Sequence, residues 1–312
     1  MKLAAILNSG SGTLKTLEPG EILELIETQF SQAGYGVTGC VTSGDHFQKK
    51  LDEAVKSDAD VVLVGGGDGS ISSAAAQCWE NGKTLAVLPA GTMNLFARGL
   101  RIPLDLNEAI QALAGGRPIA CDVATANGRP FIHQYSIGMH PQLVEERNQY
   151  NFDSRLTKIF ASFRAFTSQV ANPPTVRTII KTIRGERDEL LSNLSVSNNP
   201  YGDGHLPYFD DPNSGKLGIY TAGVLDVASY LSLAADLAAG SWRSNSDIHE
   251  ETANKVELEF PEVADSGVAL IDGELLDLAS RVTIESHPGA LTVLAPQETA
   301  GLCVDGGLLA SR

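Results

Sequence analysis

The run Val61-Val62-Leu63-Val64-Gly65-Gly66-Gly67-Asp68-Gly69-Ser70 admits few folds. Four apolar residues, three of them β-branched, read as a buried strand. Three glycines stop it, and Ile71-Ser72-Ser73-Ala74-Ala75-Ala76-Gln77 then suits a helix. Strand, glycine turn and helix N-terminus in that order form an anion cradle. The glycines let backbone approach a phosphate, and free N–H groups with the helix dipole favour negative charge. Asp68 is the unexpected member, because a carboxylate beside phosphates repels them unless a divalent cation lies between. The lack of Gly-Lys-Ser/Thr excludes a Walker A loop. Gly65 and Gly67 fit a dinucleotide fingerprint, but Ser70 replaces its third glycine and no acid closes the next strand.

A second turn of this kind follows. Leu85-Ala86-Val87-Leu88-Pro89 reads as a strand, running into Ala90-Gly91-Thr92-Met93-Asn94 and a helical Leu95-Phe96-Ala97-Arg98. With GGDGS at Gly66–Ser70 and GTMN followed by Ala97-Arg98, the chain resembles the diacylglycerol kinase catalytic-domain family. That family comprises bacterial lipid kinases and their sphingosine and ceramide kinase relatives. The resemblance runs from Asn8 to Asp272-Gly273-Glu274 and weakens between about Gln142 and Asn193.

The first 125 residues alternate in period, with strands at Leu3–Leu7, Tyr35–Thr42, Val61 onward and Leu85–Pro89. Helices are expected at Glu21–Phe30, His46–Lys56, after Ser70, from Asn94 and at Asp105–Ala114. Such βαβα alternation implies a parallel, doubly wound sheet covered by helices, with ligands beyond the carboxyl ends of its strands. Short strands follow at Ile119–Ala126, Pro130–Ile137, Val176–Ile183, Leu190–Ser197, Leu217–Ala222, Lys255–Phe260, Val268–Ile271, Arg281–Glu285 and Leu291–Leu294. Asn127-Gly128 and Asp272-Gly273 read as hairpin turns, and helices are expected at about Arg155–Val170 and Val227–Ala239. The pattern predicts an α/β nucleotide-binding domain over 1–125 and an antiparallel β-sandwich over 126–295. The resemblance implies the same plan, an active site in the cleft between the two, and a tail, 296–312, that returns to the first domain.

The resemblance also implies roles. ATP would contact Asn8, Ser9, Gly10, Ser11, Gly12 and Thr42, and its phosphates would lie on Gly66, Gly67, Asp68, Gly69, Ser70, Gly91, Thr92 and Asn94. Asp68 and Asp122 would anchor Mg²⁺ directly or through water, and Glu274 would be the general base. Asp210-Asp211-Pro212-Asn213-Ser214-Gly215-Lys216-Leu217 resembles a structural magnesium loop in which Asp211 is the ligand, with three residues inserted before Gly215. Its other reading is a solvated Asx turn. The expected partners are ATP, Mg²⁺ and a lipid such as diacylglycerol presented at a membrane surface. Which lipid, and whether the chain forms a homodimer, stay open. So do an NAD kinase, which also uses GGDG, and a nucleotide-binding regulator without turnover.

Composition narrows the setting. No apolar run reaches the roughly 18 residues of a spanning helix, and the apolar start breaks at Asn8-Ser9-Gly10, too early for a signal peptide. Cys40, Cys78, Cys121 and Cys303 form no CxxC and fit unpaired thiols in a reducing cytoplasm. The histidines form no HExxH, so zinc is not expected. A net charge of −15 argues against nucleic acid and opposes docking on an anionic membrane. One basic island, Ser154–Arg187, holds seven cations and a single acid, Glu186. It is read either as solvated surface around a packed helix or as a peripheral contact with the inner face of the membrane.

Overall fold

The computed structural model describes residues 1–139, 141, 175–204, 206–262 and 267–304. The chain folds as two units. The first comprises Met1–Val123, Tyr208–Gly215 and His287–Arg312, and the second Ala124–Pro207 and Lys216–Ser286. The chain begins β1 (Lys2–Asn8), α1 (Pro19–Gln32), β2 (Gly36–Thr42), α2 (Asp45–Val55), β3 (Val61–Gly66), α3 (Asp68–Glu80), β4 (Thr84–Pro89), α4 (Leu95–Gly99) and α5 (Leu106–Ala114). It continues through β5 (Arg117–Ala126), β6 (Arg129–Phe131), β7 (Gln134–Gly138), β8 (Val176–Thr182), β9 (Gly185–Leu191), β10 (Asn193–Ser197) and β11 (Leu217–Ala222). After these come α6 (Val227–Ala239), β12 (Ile248–Ala253), β13 (Lys255–Glu259), β14 (Val268–Ile271), β15 (Glu274–Asp277), β16 (Arg281–Ala295) and α7 (Gln297–Val304).

In the first unit the strands run β2-β1-β3-β4 and all pair in parallel. The step from β1 to β2 goes one way along the sheet, and the steps to β3 and β4 go the other. Right-handed crossovers therefore place α1 on one face and α2 with α3 on the opposite face. The packing agrees, since α2 meets α3 and α1 meets α5. Val61–Val64 are wholly buried, as a strand covered on both faces requires. Phe209 explains why the chain returns here at 208–215: its ring meets Phe96 edge-on at 5.6 Å and fills the space above Gly99.

The second unit is a sandwich. One antiparallel sheet runs β12-β11-β10-β7-β14-β15, and the other contains β16, β13, β8 and β9, with β6 paired to the end of β5. Their inner faces share a core that includes Ile137, Leu194, Val196 and Ile219 from the first sheet and Ile180, Leu258 and Ile284 from the second. The α/β plus β-sandwich reading of the sequence is thus what the chain adopts.

The structure differs from the sequence reading in several places. The strand expected at Pro130–Ile137 is two, because the backbone at Ile132 and His133 turns to bond the Asp272 carboxylate. The strand expected at Leu190–Ser197 breaks at the buried Ser192, whose N–H reaches Ala222 O. Those expected at Arg281–Glu285 and Leu291–Leu294 are one strand, β16, bent at Pro288-Gly289, where Gly289 has φ +61. Its last part, Val293-Leu294, pairs in parallel with Leu85-Ala86 of β4. The region expected at 126–295 is therefore interrupted at 208–215 and ends at 286. Beyond β16, Gln297 Nε2 donates to Gly115 O (2.9 Å) and Thr299 Oγ1 to Leu100 O (2.6 Å). β9, β12 and β15 have sequences too polar to stand out as strands. Cys40, Cys78 and Cys121 carry thiols outside any disulfide, and burial pushes that of Cys78 up to about 12.

The basic island resolves in part. Arg155, Lys158, Arg164 and the helix expected at Arg155–Val170 lie outside the described residues. The remaining cations, on the β8–β9 hairpin, are paired with carboxylates. Arg177 meets Asp188 and Glu262, Lys181 meets Glu259 and Glu186, and Arg187 meets Glu189 and Glu251. This half of the island is balanced charge. Glu251 is buried, held by Arg187 Nη2 at 3.0 Å and by Thr182 Oγ1 at 2.8 Å. Arg187→Ala should therefore lower the free energy of unfolding in urea by about 1–3 kcal/mol, since it strands a buried acceptor. A change close to zero would mean that water replaces the guanidinium there.

Candidate active site

Four loops follow the carboxyl ends of β1, β2, β3 and β4, and hydrogen bonds tie them together. Ser9 N and Oγ both donate to Thr42 O, at 2.8 and 2.9 Å. Asn8 Nδ2 donates to Ser70 Oγ (3.0 Å), and Ser11 Oγ accepts from Gly67 N (3.2 Å). Thr13 N donates to Ala90 O (2.9 Å). The structure thus gathers Asn8, Ser9, Gly10, Ser11, Gly12, Thr42, Gly66, Gly67, Asp68, Gly69, Ser70, Gly91, Thr92 and Asn94 at one end of the parallel sheet.

The glycines show how tight this gathering is. A Cβ on Gly91 would lie 2.6 Å from Gly67 Cα and 2.9 Å from Asn94 Oδ1, so the two turns touch backbone to backbone. A Cβ on Gly66 would lie 2.6 Å from Ser70 Cβ, where α3 folds back over the strand end. Asn94 is left-handed (φ 52) and closes its own loop, accepting from Gly91 N (2.8 Å) and donating to Gly91 O (2.9 Å). The first intrahelical bond of α3 is Ile71 N to Gly67 O. The N–H groups of Asp68, Gly69 and Ser70 therefore have no acceptor within the helix and stand at its positive end.

Asp68 has a contact that its sequence position did not signal. Its carboxylate accepts from Asn94 N (3.0 Å) and Leu95 N (2.7 Å), capping α4 from another segment. It joins the two phosphate-loop candidates. Each of its oxygens keeps a lone pair that can accept from an ion-bound water. Among the described residues no three His, Cys, Asp or Glu side chains gather to hold a metal. Magnesium would fit this site as a companion of nucleotide phosphates, the usual state of that ion, with Asp68 reaching it through water.

Asp122 lies elsewhere in the first unit. It is fully buried, and its oxygens accept from Gly215 N (2.7 Å) and Gly289 N (2.8 Å), while its own N–H reaches Pro212 O (2.8 Å). The cost of burying this charge is offset by those donors. Asp122 organises the 211–215 loop and the bend of β16, so that its carboxylate is an anchor of the backbone. Asp211 Oδ1 accepts from Asn213 N (2.9 Å), an Asx turn. This is the Asx turn that the sequence also offers for this loop.

In the second unit, Asp272 and Gly273 are left-handed (φ 46 and 89), as a tight hairpin turn between β14 and β15 requires. The Asp272 carboxylate accepts from the N–H groups of Ile132, His133 and Gln134 at 2.9, 3.0 and 2.9 Å. Glu274 follows, more exposed, and its Oε2 meets Arg129 Nη2 at 2.5 Å. Sequence reasoning missed Arg129; the available signal was a cation next to the Asn127-Gly128 turn.

Residues 2–126 match the model of the diacylglycerol kinase catalytic domain. Over 301 residues the chain is 27% identical to a Streptococcus pneumoniae protein that carries a lipid-kinase name, covering 92% of this chain and 98% of that one. It is 25% identical over 248 residues to the diacylglycerol kinase of Bacillus subtilis, covering 75% of this chain and 78% of the relative. A Bacillus anthracis structure described as a diacylglycerol kinase superimposes with a TM-score of 0.75 at 21% identity, covering 96% of each chain, a likeness of fold.

Proposed function

We propose, from the premise that this chain belongs through residues 2–126 to the diacylglycerol kinase catalytic-domain family, that it transfers the γ-phosphoryl group of ATP to the hydroxyl of a membrane lipid such as diacylglycerol. The observation that carries this reading is the backbone contact of the Gly67 and Gly91 turns at the open N-terminus of α3. That geometry offers converging N–H groups to a polyphosphate and leaves no room for a side chain at Gly91.

In this reading the N–H groups of Asp68, Gly69 and Ser70 receive the phosphates, and the loop from Asn8 to Gly12 flanks the nucleotide. Asp68 keeps the Gly91–Asn94 loop in place by capping α4. Asp68 would help hold, through water, a magnesium ion brought with the nucleotide, which would supply neutralisation of the charge that develops on the transferred group. Glu274 accepts the proton of the lipid hydroxyl. The hydroxyl oxygen forms its bond to the γ-phosphorus as the bond from that phosphorus to the β–γ bridging oxygen breaks, leaving ADP and a phosphorylated lipid.

In this reading the acceptor is taken from the bilayer surface at the cytoplasmic face. No helix among the described residues is long and apolar enough to cross a membrane. The test is a γ-labelled ATP assay with a panel of diacylglycerol, phosphatidylglycerol, sphingoid base and isoprenoid alcohol in mixed micelles. Label should appear in one phosphorylated lipid. Label in NADP when NAD is supplied, or bound ATP with no transfer to any lipid, would refute the reading.

A further inference from the structure

The hairpin that presents Glu274 is gripped from one side by a single six-residue stretch, 129–134. Its N–H groups at Ile132, His133 and Gln134 bind the Asp272 carboxylate, and Gln134 O accepts from Asp272 N at 3.0 Å. Its first residue, Arg129, reaches Glu274 Oε2 at 2.5 Å. Arg129 is itself well founded. It stands directly after the Asn127-Gly128 turn, where Asn127 N donates to Thr283 O (2.9 Å), Thr283 N to Asn127 Oδ1 (2.8 Å) and Asn127 Nδ2 to Arg281 O (3.0 Å). The guanidinium therefore projects from a backbone pinned to β16.

We infer that Arg129 is a positioning residue for Glu274, holding one carboxylate oxygen so that the other faces the acceptor hydroxyl. This rests on the reading of Glu274 as the base. Two features support it. The pair is largely exposed, at 41% for Arg129 and 67% for Glu274, and exposed ion pairs add little to stability. Stability is then a weak reason for a guanidinium on this carboxylate. Among the described residues, Arg129 is also the one group that bonds the Glu274 side chain, and it bonds Oε2 alone. A glutamate has three rotatable side-chain bonds, and an unheld one samples many orientations, few of which align with a proton to be removed. Fixing it in advance lowers the cost of reaching the transition state.

The experiment compares wild type with Arg129→Ala, Arg129→Lys and Glu274→Gln, and with the Arg129→Ala and Glu274→Gln double variant, in the lipid phosphorylation assay. Arg129→Ala should lower kcat by about 10- to 100-fold with the KM for ATP unchanged, because misplacement of a reacting group acts on the transition state. Arg129→Lys, or guanidinium ion at millimolar concentration added to Arg129→Ala, should restore part of the loss. In the Glu274→Gln background the second substitution should cost less than about twofold, the mark of two residues that act as a unit. Arg129→Ala within about threefold of wild type, or an equal loss with and without Glu274, overturns the proposal. An impaired Glu274→Gln beside an unimpaired Arg129→Ala rejects the positioning role and leaves the base assignment standing, so the two failures are distinguishable.

Discussion

Glu274→Gln is expected to lower kcat for lipid phosphorylation by about 10²–10⁴-fold, with ATP affinity little changed. The glutamine keeps the length of the side chain and an oxygen that accepts from Arg129, so the hairpin should keep its shape. It cannot take a proton. The Asp272-Gly273 turn does not depend on this residue, because the bonds that fix it run from the Asp272 carboxylate to backbone N–H groups of 132–134. A base needed only during transfer acts on kcat more than on substrate binding. Steady-state kinetics and calorimetry with ATP make the comparison. A loss under about threefold, in a protein whose circular dichroism is unchanged, would falsify the assignment, since general-base catalysis contributes more than that. Glu274 would then be a turn residue whose ion pair is surface charge.

Gly91→Ala should have the second large effect, on binding. Its added methyl group would sit 2.6 Å from Gly67 Cα, a backbone atom that cannot rotate away, and 2.9 Å from Asn94 Oδ1. The two turns must move apart, taking with them the Gly91 N to Asn94 Oδ1 bond and the capping of α4 by Asp68. We expect ATP affinity to fall on the order of 10²-fold, the scale of a displacement of about 1 Å in a binding constellation. The matched control is Gly67→Ala. Seen from Gly67, an added Cβ lies 3.5 Å from Gly91 Cα, an ordinary contact, so this variant should leave the two turns in place and lose less ATP affinity than Gly91→Ala. Equal affinities for the two alanine variants by calorimetry would show that the nucleotide does not depend on the contact between these turns.

That asymmetry marks how far the sequence could be read. Both turns are legible because each is an apolar run, a glycine turn and a helix former in succession, a pattern set by local chemistry. Which glycine is crowded depends on how two loops 20-odd residues apart meet, and no local pattern records that. Asp68 illustrates the same limit. Its place in a phosphate turn was plain, yet its carboxylate is turned to Asn94 and Leu95 N–H groups on the neighbouring loop. Asp122 stood out as a charge within an apolar strand, and the structure answers it with donors from Gly215 and Gly289, both distant in the chain. Gly185–Leu191 escaped notice because its sequence, Gly-Glu-Arg-Asp-Glu-Leu-Leu, carries four charged residues in a row, of which Glu186 and Asp188 meet Lys181 and Arg177 across the hairpin.

The course of β16 bears on where such a protein can be cut. The part that matches the catalytic-domain model stops at residue 126, which invites the view of that stretch as a portable module. The strand beside β4 is supplied from residues 293–294, and the ring that fills the space above Gly99 comes from Phe209. A fragment ending at 126 would leave Leu85 and Ala86 on an unpaired sheet edge, the kind of edge that recruits other chains. The unit of inheritance and the unit of folding are different lengths here. Any exchange of the nucleotide-binding half between relatives must carry the last strand and the 208–215 return with it.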